Sequence, residues 1–402
     1  MESILAGTIA LLAIAMIVAI IARRLKLPYT VGLVLTGLAL ALARVSFGFE
    51  LTHDFIFDLI LPPLLFEAAL NLPWPALRRD LPPVLAMSFV GVALCVAVVA
   101  LGLVFGLGWP WLPALAFGSL VGATDPIAVI ALLRETGVKC RLAVLIESES
   151  LINDGSAALM FGLVLAAIDG AAALTPVGVL MQFLIVAVGG VVCGLIVGGA
   201  AIALAGRTSD HLVETALTAV AAWGSFLLAE HFGASGVLAT VAAGMTMGNL
   251  GVLASRGPNL KFTPRGRAFA FNFWEFAAFV ANSYTFLMIG VALADVRSLF
   301  SFGFAFMVLL ALAGRAAAVY PLSLAFRNTR WRLELAEQHF LWWAGLRGAL
   351  ALALALSLPP GMAYRGEILV GAFGVVAFST LVQGLTAGLV LRALGLDRKS
   401  EH

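Results

Sequence analysis

Apolar stretches long enough to cross a bilayer follow one another through this chain with few polar residues between them. At about 17 to 25 residues per crossing, thirteen helices are expected. They lie near 3–22, 28–45, 54–72, 82–107, 111–133, 142–168, 176–206, 211–231, 235–250, 267–294, 298–326, 338–358 and 367–394. Of 402 residues, 62% are hydrophobic and only 11% charged, and the mean hydropathy is +1.06. No soluble domain holds that balance, so length here counts spans rather than domains. The fold class is an all-α polytopic membrane protein built as one transmembrane unit, because helices satisfy their own backbone groups in lipid.

The basic residues sort by loop. Nineteen of the 24 Lys and Arg fall on one side of a thirteen-span arrangement, in clusters such as Arg23/Arg24/Lys26, Arg78/Arg79, Arg134/Lys139/Arg141, Arg256/Lys261/Arg265/Arg267 and Arg327/Arg330/Arg332. Arg44, Arg297 and Arg365 fall on the other side, while Arg315 and Arg347 lie inside spans. The rich side is cytoplasmic by the positive-inside rule, which puts the N-terminus outside and the C-terminus inside. Positive charge follows the first apolar stretch rather than preceding it, so that stretch is expected to be retained rather than cleaved. The chain stops soon after Arg398 and Lys399, so no soluble regulatory domain is expected. Cys95, Cys140 and Cys193 are scattered and read as small buried hydrophobes. The five histidines lie at or near span ends or in the tail, which argues against a histidine metal site. A net charge of +2 gives no sign of nucleic acid binding, and no phosphate-binding loop is present to power an ATPase.

Residues 120–160 break the apolar rule. Thr124-Asp125-Pro126 stands in the middle of the fifth span. Proline there lacks an amide proton and crowds the preceding turn, so the helix kinks or opens. The sixth span carries Glu147, Ser148, Glu149, Ser150, Asn153 and Asp154, with Ser150 and Asp154 on one helical face and Glu149 and Asn153 on the next. Seven spans after the fifth, Gly345-Leu346-Arg347-Gly348 occupies a comparable depth. The third and tenth spans also share an apolar-acidic pattern, F-E-A-A-L-N-L-P at 66–73 and M-I-G-V-A-L-A-D at 288–295. An odd offset gives two copies of opposite topology, with discontinuous helices meeting near the midplane.

Ionisable groups inside spans are costly, and they face a cavity or one another. The deep ones are Glu67, Asp125, Glu147 or Glu149, Asp154, Arg315 and Arg347. The expected structural pairs are Glu149 with Arg347 and Asp125 with Arg315, with Asn153 orienting Glu149 or lending its carbonyl. Asp154 is then the acid left without a fixed cationic partner. Desolvation favours the neutral form of such a carboxylate, so it exchanges protons near neutrality or takes a small cation instead. Ser150, the Thr124 carbonyl freed by Pro126 and the Thr124 hydroxyl would supply further oxygens for a hard ion. Competition of a proton and a cation for one carboxylate gives exchange, and an empty anionic site is costly to carry across the apolar barrier. Leu61-Pro62-Pro63 should kink the third span, with Glu67 and Glu147 lining a funnel or Glu67 merely fitting the packing. Gly189-Gly190 and Gly198-Gly199 read as close helix contacts.

At L-P-P-L-L-F-E-A-A-L (61–70), A-T-D-P-I-A-V (123–129), E-S-L-I-N-D (149–154), G-L-R-G-A-L-A (345–351) and S-T-L-V-Q-G-L-T (379–386), the chain resembles one transporter group. This is the sodium/proton exchanger branch of the monovalent cation:proton antiporters, including archaeal NhaP-type proteins and the animal and plant salt-tolerance exchangers. The resemblance implies a thirteen-helix fold with a moving core, about 54–168 and 267–394, and a dimerisation part, about 1–50 and 176–250. It implies a homodimer in the bacterial inner membrane that exchanges Na⁺, Li⁺ or K⁺ for H⁺ electroneutrally, without a cofactor, by an elevator-like movement. Asp154 would bind cation and proton, Asn153, Ser150 and Thr124 would shape the site, and Glu149 and Arg347 would form a stabilising pair. Ser148, where the family commonly has Gly, and the extra Glu147 depart from the pattern. The alternatives are a K⁺/H⁺ antiporter of the same fold, a cation channel, and an ion sensor.

Overall fold

The computed structural model describes residues 2–25, 27–44, 52–135, 141–168, 170, 176–252, 262–293 and 302–397, which form helices and connecting turns with no strand. Lys26, Lys139, Cys140, Arg256, Lys261, Arg297, Arg398 and Lys399, named above, lie outside the described residues.

The helices in order are α1 (Glu2–Leu25), α2 (Tyr29–Leu42), α3 (Leu61–Asn71), α4 (Trp74–Leu85), α5 (Val92–Leu107), α6 (Trp111–Leu120), α7 (Ile127–Glu135), α8 (Arg141–Ile168) and α9 (Pro176–Ala205). They continue with α10 (His211–His231), α11 (Gly236–Thr246), α12 (Pro264–Leu293), α13 (Phe302–Ala325), α14 (Leu335–Trp343), α15 (Ala349–Leu356), α16 (Arg365–Phe378) and α17 (Gly384–Ala393). A single π-helical turn joins α4 to α5 (Ala86–Gly91) and α16 to α17 (Ser379–Gln383), and another leads into α3 (Phe55–Ile60). Among the described residues, helix is found in each of the thirteen expected segments, interrupted at 121–126 in the fifth and at 344–348 in the twelfth. Seven described helices, with joined pieces taken together, are by themselves long and apolar enough to cross a membrane.

Prolines set the local irregularities. Pro62 and Pro63 are the second and third residues of α3, directly after the π-helical turn that ends at Ile60. The bend expected there is taken up by the π-helical turn just before them. The fourth span starts earlier than the sequence suggests. α4 begins at Trp74, Asp80 takes a non-helical φ of −112° ahead of Pro82 and Pro83, and the helix then resumes. Asp80 is buried and paired with Arg141 at 2.6 Å. Arg141 also donates to the Arg332 carbonyl (3.2 Å), and the Trp331 indole donates to the Arg79 carbonyl (2.8 Å). Three of the basic loops therefore sit together at one end of the bundle.

Packing divides the helices. α12 lies along α2, α10 and α3, α3 lies on α11, and α9 lies on α10 and α11. The other group packs α5 on α6 and α13, α8 on α6, and α16 on α13 and α15. Small residues allow the closest crossings. A Cβ at Gly37 would fall on the Leu287 carbonyl, and one at Gly290 on the Val34 carbonyl, so α2 and α12 touch backbone to backbone. In α9, Gly190 packs on Ser235, Gly198 on Ala243 and Gly189 on Ala234, as read from the sequence, whereas Gly199 faces open space.

Candidate functional site: two crossed breaks and a carboxylate cavity

α6 ends at Leu120 and α7 begins at Ile127, so residues 121–126 lie between two half-helices. On the opposing copy, α14 ends at Trp343 and α15 begins at Ala349. The breaks touch, with the Asp125 amide donating to the Leu346 carbonyl at 2.7 Å. Glycine is required at two positions of this crossing. A Cβ at Gly348 would overlap the Asp125 carboxylate, and one at Gly345 would come within 2.6 Å of Arg315 Nε.

The break frees carbonyls at the end of α6, and Arg347 satisfies them. Its guanidinium donates to the carbonyls of Ala123 (2.8 Å) and Gly122 (3.2 Å), and it lies 4.0 Å from the Cys95 sulfur. A fixed cation at a helix C-terminus also suits the dipole there. The Arg347 amide is held by the Ser379 hydroxyl at 2.9 Å, from the π-helical turn between α16 and α17. Cys95 is thus buried as expected, with its sulfur turned to a guanidinium rather than to hydrocarbon alone.

This corrects the expected pairing. Glu149 is bound by Arg315, not by Arg347: both guanidinium nitrogens engage both carboxylate oxygens, one contact at 2.9 Å. Arg315 is therefore not the partner of Asp125. Instead, Asp125 accepts from the Ile127 amide (3.1 Å), capping the N-terminus of α7, where the helix dipole favours an anion. Asn153 does not orient Glu149 either. Its amide nitrogen donates to the Thr124 hydroxyl (2.7 Å), and its oxygen accepts from the Thr124 amide (3.3 Å). Ser150 donates to the Thr124 carbonyl and accepts from the Thr124 hydroxyl (3.3 Å). Thr124 is thereby clamped at three atoms by α8, which ties the broken segment to the acidic helix.

Ser88 was not picked out from the sequence. Buried in the π-helical turn before α5, it donates to the Glu149 carbonyl (3.0 Å) and accepts from Ser156, which also donates to the Asn153 carbonyl (3.0 Å). A lone hydroxyl in an apolar span was the one available signal.

Among the described residues, Asp154 makes no hydrogen bond and no ion pair. It lines a cavity of about 240 Å³ together with Thr124, Asp125, Ser150, Glu147 and Glu67. Glu67 accepts from the Asn71 amide at 2.8 Å. α3 and α12 also contribute to the cavity lining. Carboxylate and hydroxyl oxygens around an open space, with both nearby arginines engaged elsewhere, can bind and release a small hard cation or a proton.

Crossed half-helices of inverted copies around a buried carboxylate cavity define an ion-translocating membrane protein of the inverted-repeat class. The chain belongs to the sodium/hydrogen exchanger family, whose transmembrane description matches residues 10–393. It is 39% identical to the Na⁺/H⁺ antiporter ApNhaP of Aphanothece halophytica, over 92% of this chain and 70% of that one. It is 36% identical to the Na⁺/H⁺ antiporter NhaH of Halobacillus aidingensis, over 96% of both chains. The fold matches that of the sodium proton antiporter MjNhaP1 from Methanocaldococcus jannaschii with a TM-score of 0.78, over 98% of this chain and 99% of that one, at 19% identity.

Proposed function

We propose that this protein is a secondary antiporter that exchanges one Na⁺ for one H⁺ at Asp154. The observation that carries the reading is the state of that carboxylate: it lines the cavity with no fixed partner, while Glu149 holds Arg315 and Arg347 caps the broken helix. Relatives named as Na⁺/H⁺ antiporters support sodium as the cation. No observation favours potassium or a channel.

Asp154 is neutral with either ligand and negative with neither. Crossing only when loaded couples the two ions one for one and makes the exchange electroneutral. A gradient of one pH unit then supplies about 1.4 kcal/mol to move Na⁺. Thr124, Ser150 and Asn153 hold the shape of the site, and Asp125 adds a second carboxylate against the α7 N-terminus. Glu67 and Glu147 line the approach.

α4–α8 and α13–α17 form the part that moves, and α1, α2 and α9–α11 form the frame. The packing of α3 and α12 on α2, α10 and α11 supports assigning them to the frame as well, rather than to the moving part within 54–168 and 267–394. α9 presents a long apolar face, with Leu180, Leu184, Val188 and Ile196 among its exposed side chains. A second copy packed on that face would make a homodimer, and the particle mass in detergent counts the copies. The basic loops gathered at one end support placing that end in the cytoplasm of a bacterial inner membrane, with the C-terminus inside and the N-terminus outside.

The test is proteoliposomes loaded with a pH-sensitive dye and challenged separately with Na⁺, Li⁺ and K⁺. Na⁺ should drive dequenching with no accompanying current under voltage clamp. A response to K⁺ alone would replace the cation in this reading, and a current that carries the flux would replace antiport with conduction.

A further inference from the structure

α12 places Asn282 on the cavity wall one turn after Ala278, facing the part of the molecule that carries Asp154. Its amide oxygen is buried and has no hydrogen bond. Two polar neighbours have structural partners: Ser283 bonds to the Phe279 carbonyl and to Tyr29, and Thr285 donates to the Ala281 carbonyl at 2.9 Å. An amide left unsatisfied at membrane depth is costly, and such groups mark function more often than packing.

The neutral oxygens on the Asp154 side of the cavity are already drawn on by hydrogen bonds. The Thr124 carbonyl and hydroxyl and the Ser150 hydroxyl are engaged with one another and with Asn153. A hard cation at Asp154 calls for several oxygens, and a further carboxylate would upset the neutrality of the loaded site. An amide carbonyl is an oxygen ligand that brings no charge. We infer that Asn282 supplies an oxygen to the transported cation from the α12 side of the cavity that Asp154 also lines, a deepening that rests on the exchange reading above. A turn of the side-chain amide brings this oxygen to the cavity, and because α12 belongs to the proposed frame it is left behind when the Asp154 part moves. Asn282 therefore sets cation affinity on one face of the membrane only.

The experiment compares wild type with Asn282→Ala, Asn282→Gln and Asn282→Asp in oriented proteoliposomes, using Na⁺ and Li⁺ as probes. Asn282→Ala should raise the apparent KM for Na⁺ on the cavity side about tenfold, keep Vmax within roughly twofold and change the ratio of Li⁺ to Na⁺ KM. Asn282→Gln, which keeps the oxygen, should recover most of the affinity. Asn282→Asp should lower the KM for both cations at alkaline pH, a readout that stands even if the alanine variant does not fold. Unchanged KM in both Asn282→Ala and Asn282→Asp, or a fall in Vmax at constant KM, overturns the inference while exchange by the wild type stands. A wild-type protein inert to Na⁺ and Li⁺ overturns the exchange reading, and this inference with it.

Discussion

Asp154→Asn is expected to abolish Na⁺-driven proton movement in proteoliposomes, a loss of roughly two orders of magnitude or more. The substitution keeps the size and shape of the side chain and removes only the group that can be neutralised by a proton or a cation. Asp154 has no hydrogen bond or ion pair to lose among the described residues. The variant should therefore express and unfold on heating like the wild type. That separates loss of the carrier from loss of the fold. Retained exchange in a folded Asp154→Asn protein would remove Asp154 from its role and leave Asp125 as the carboxylate to test.

Breaking the pair made by Glu149, also in α8, should do the opposite: it should cost stability first. Glu149 and Arg315 are 1% and 6% exposed and meet through both guanidinium nitrogens. Removing one partner strands a buried charge, at a cost of about 3–5 kcal/mol. Either Glu149→Ala or Arg315→Ala should lower the unfolding midpoint in detergent sharply or prevent accumulation of folded protein. An apolar replacement of both, Glu149→Leu with Arg315→Met, should recover much of that loss, because no lone charge remains. Single variants as stable as the wild type would show that the pair is not what holds α8 to α13. A double variant no better than the singles would mean that each arginine or glutamate contact matters separately.

The contrast between these two acids shows what the sequence could convey. The helical character of the apolar segments was legible because bilayer thickness fixes how many apolar residues a crossing needs, and helix is found in each expected segment. The breaks were legible because Pro126 cannot continue a helix and Gly345 and Gly348 stand where only glycine fits. Even the depth of Asp154 followed from its place in the sixth span. Partners were not legible. Arg315 and Arg347 are both deep and cationic, and which of them faces Glu149 depends on the rotation of α13 against α8, which charge alone does not encode. Asn153 was expected to reach along its own helix to Glu149. It bonds across the break to Thr124 because that is where unsatisfied backbone groups are exposed. The start of α4 was missed for a related reason: Arg78, Arg79 and Asp80 lower the local hydropathy, yet Asp80 is buried against Arg141 rather than hydrated. Asn282 opens a short polar run, Asn282-Ser283-Tyr284-Thr285, that matches no motif, and its place on the cavity lining was not visible in the sequence.

All of this depends on one carboxylate that holds either a sodium ion or a proton, never both. Initial exchange rates measured against Na⁺ concentration at a series of pH values test that exclusivity. Acidification should raise the apparent KM for Na⁺ by up to about tenfold per pH unit, with the rate at saturating Na⁺ unchanged. A maximal rate that falls with acid while KM stays constant would place the proton on another group, and a shared site at Asp154 could not stand.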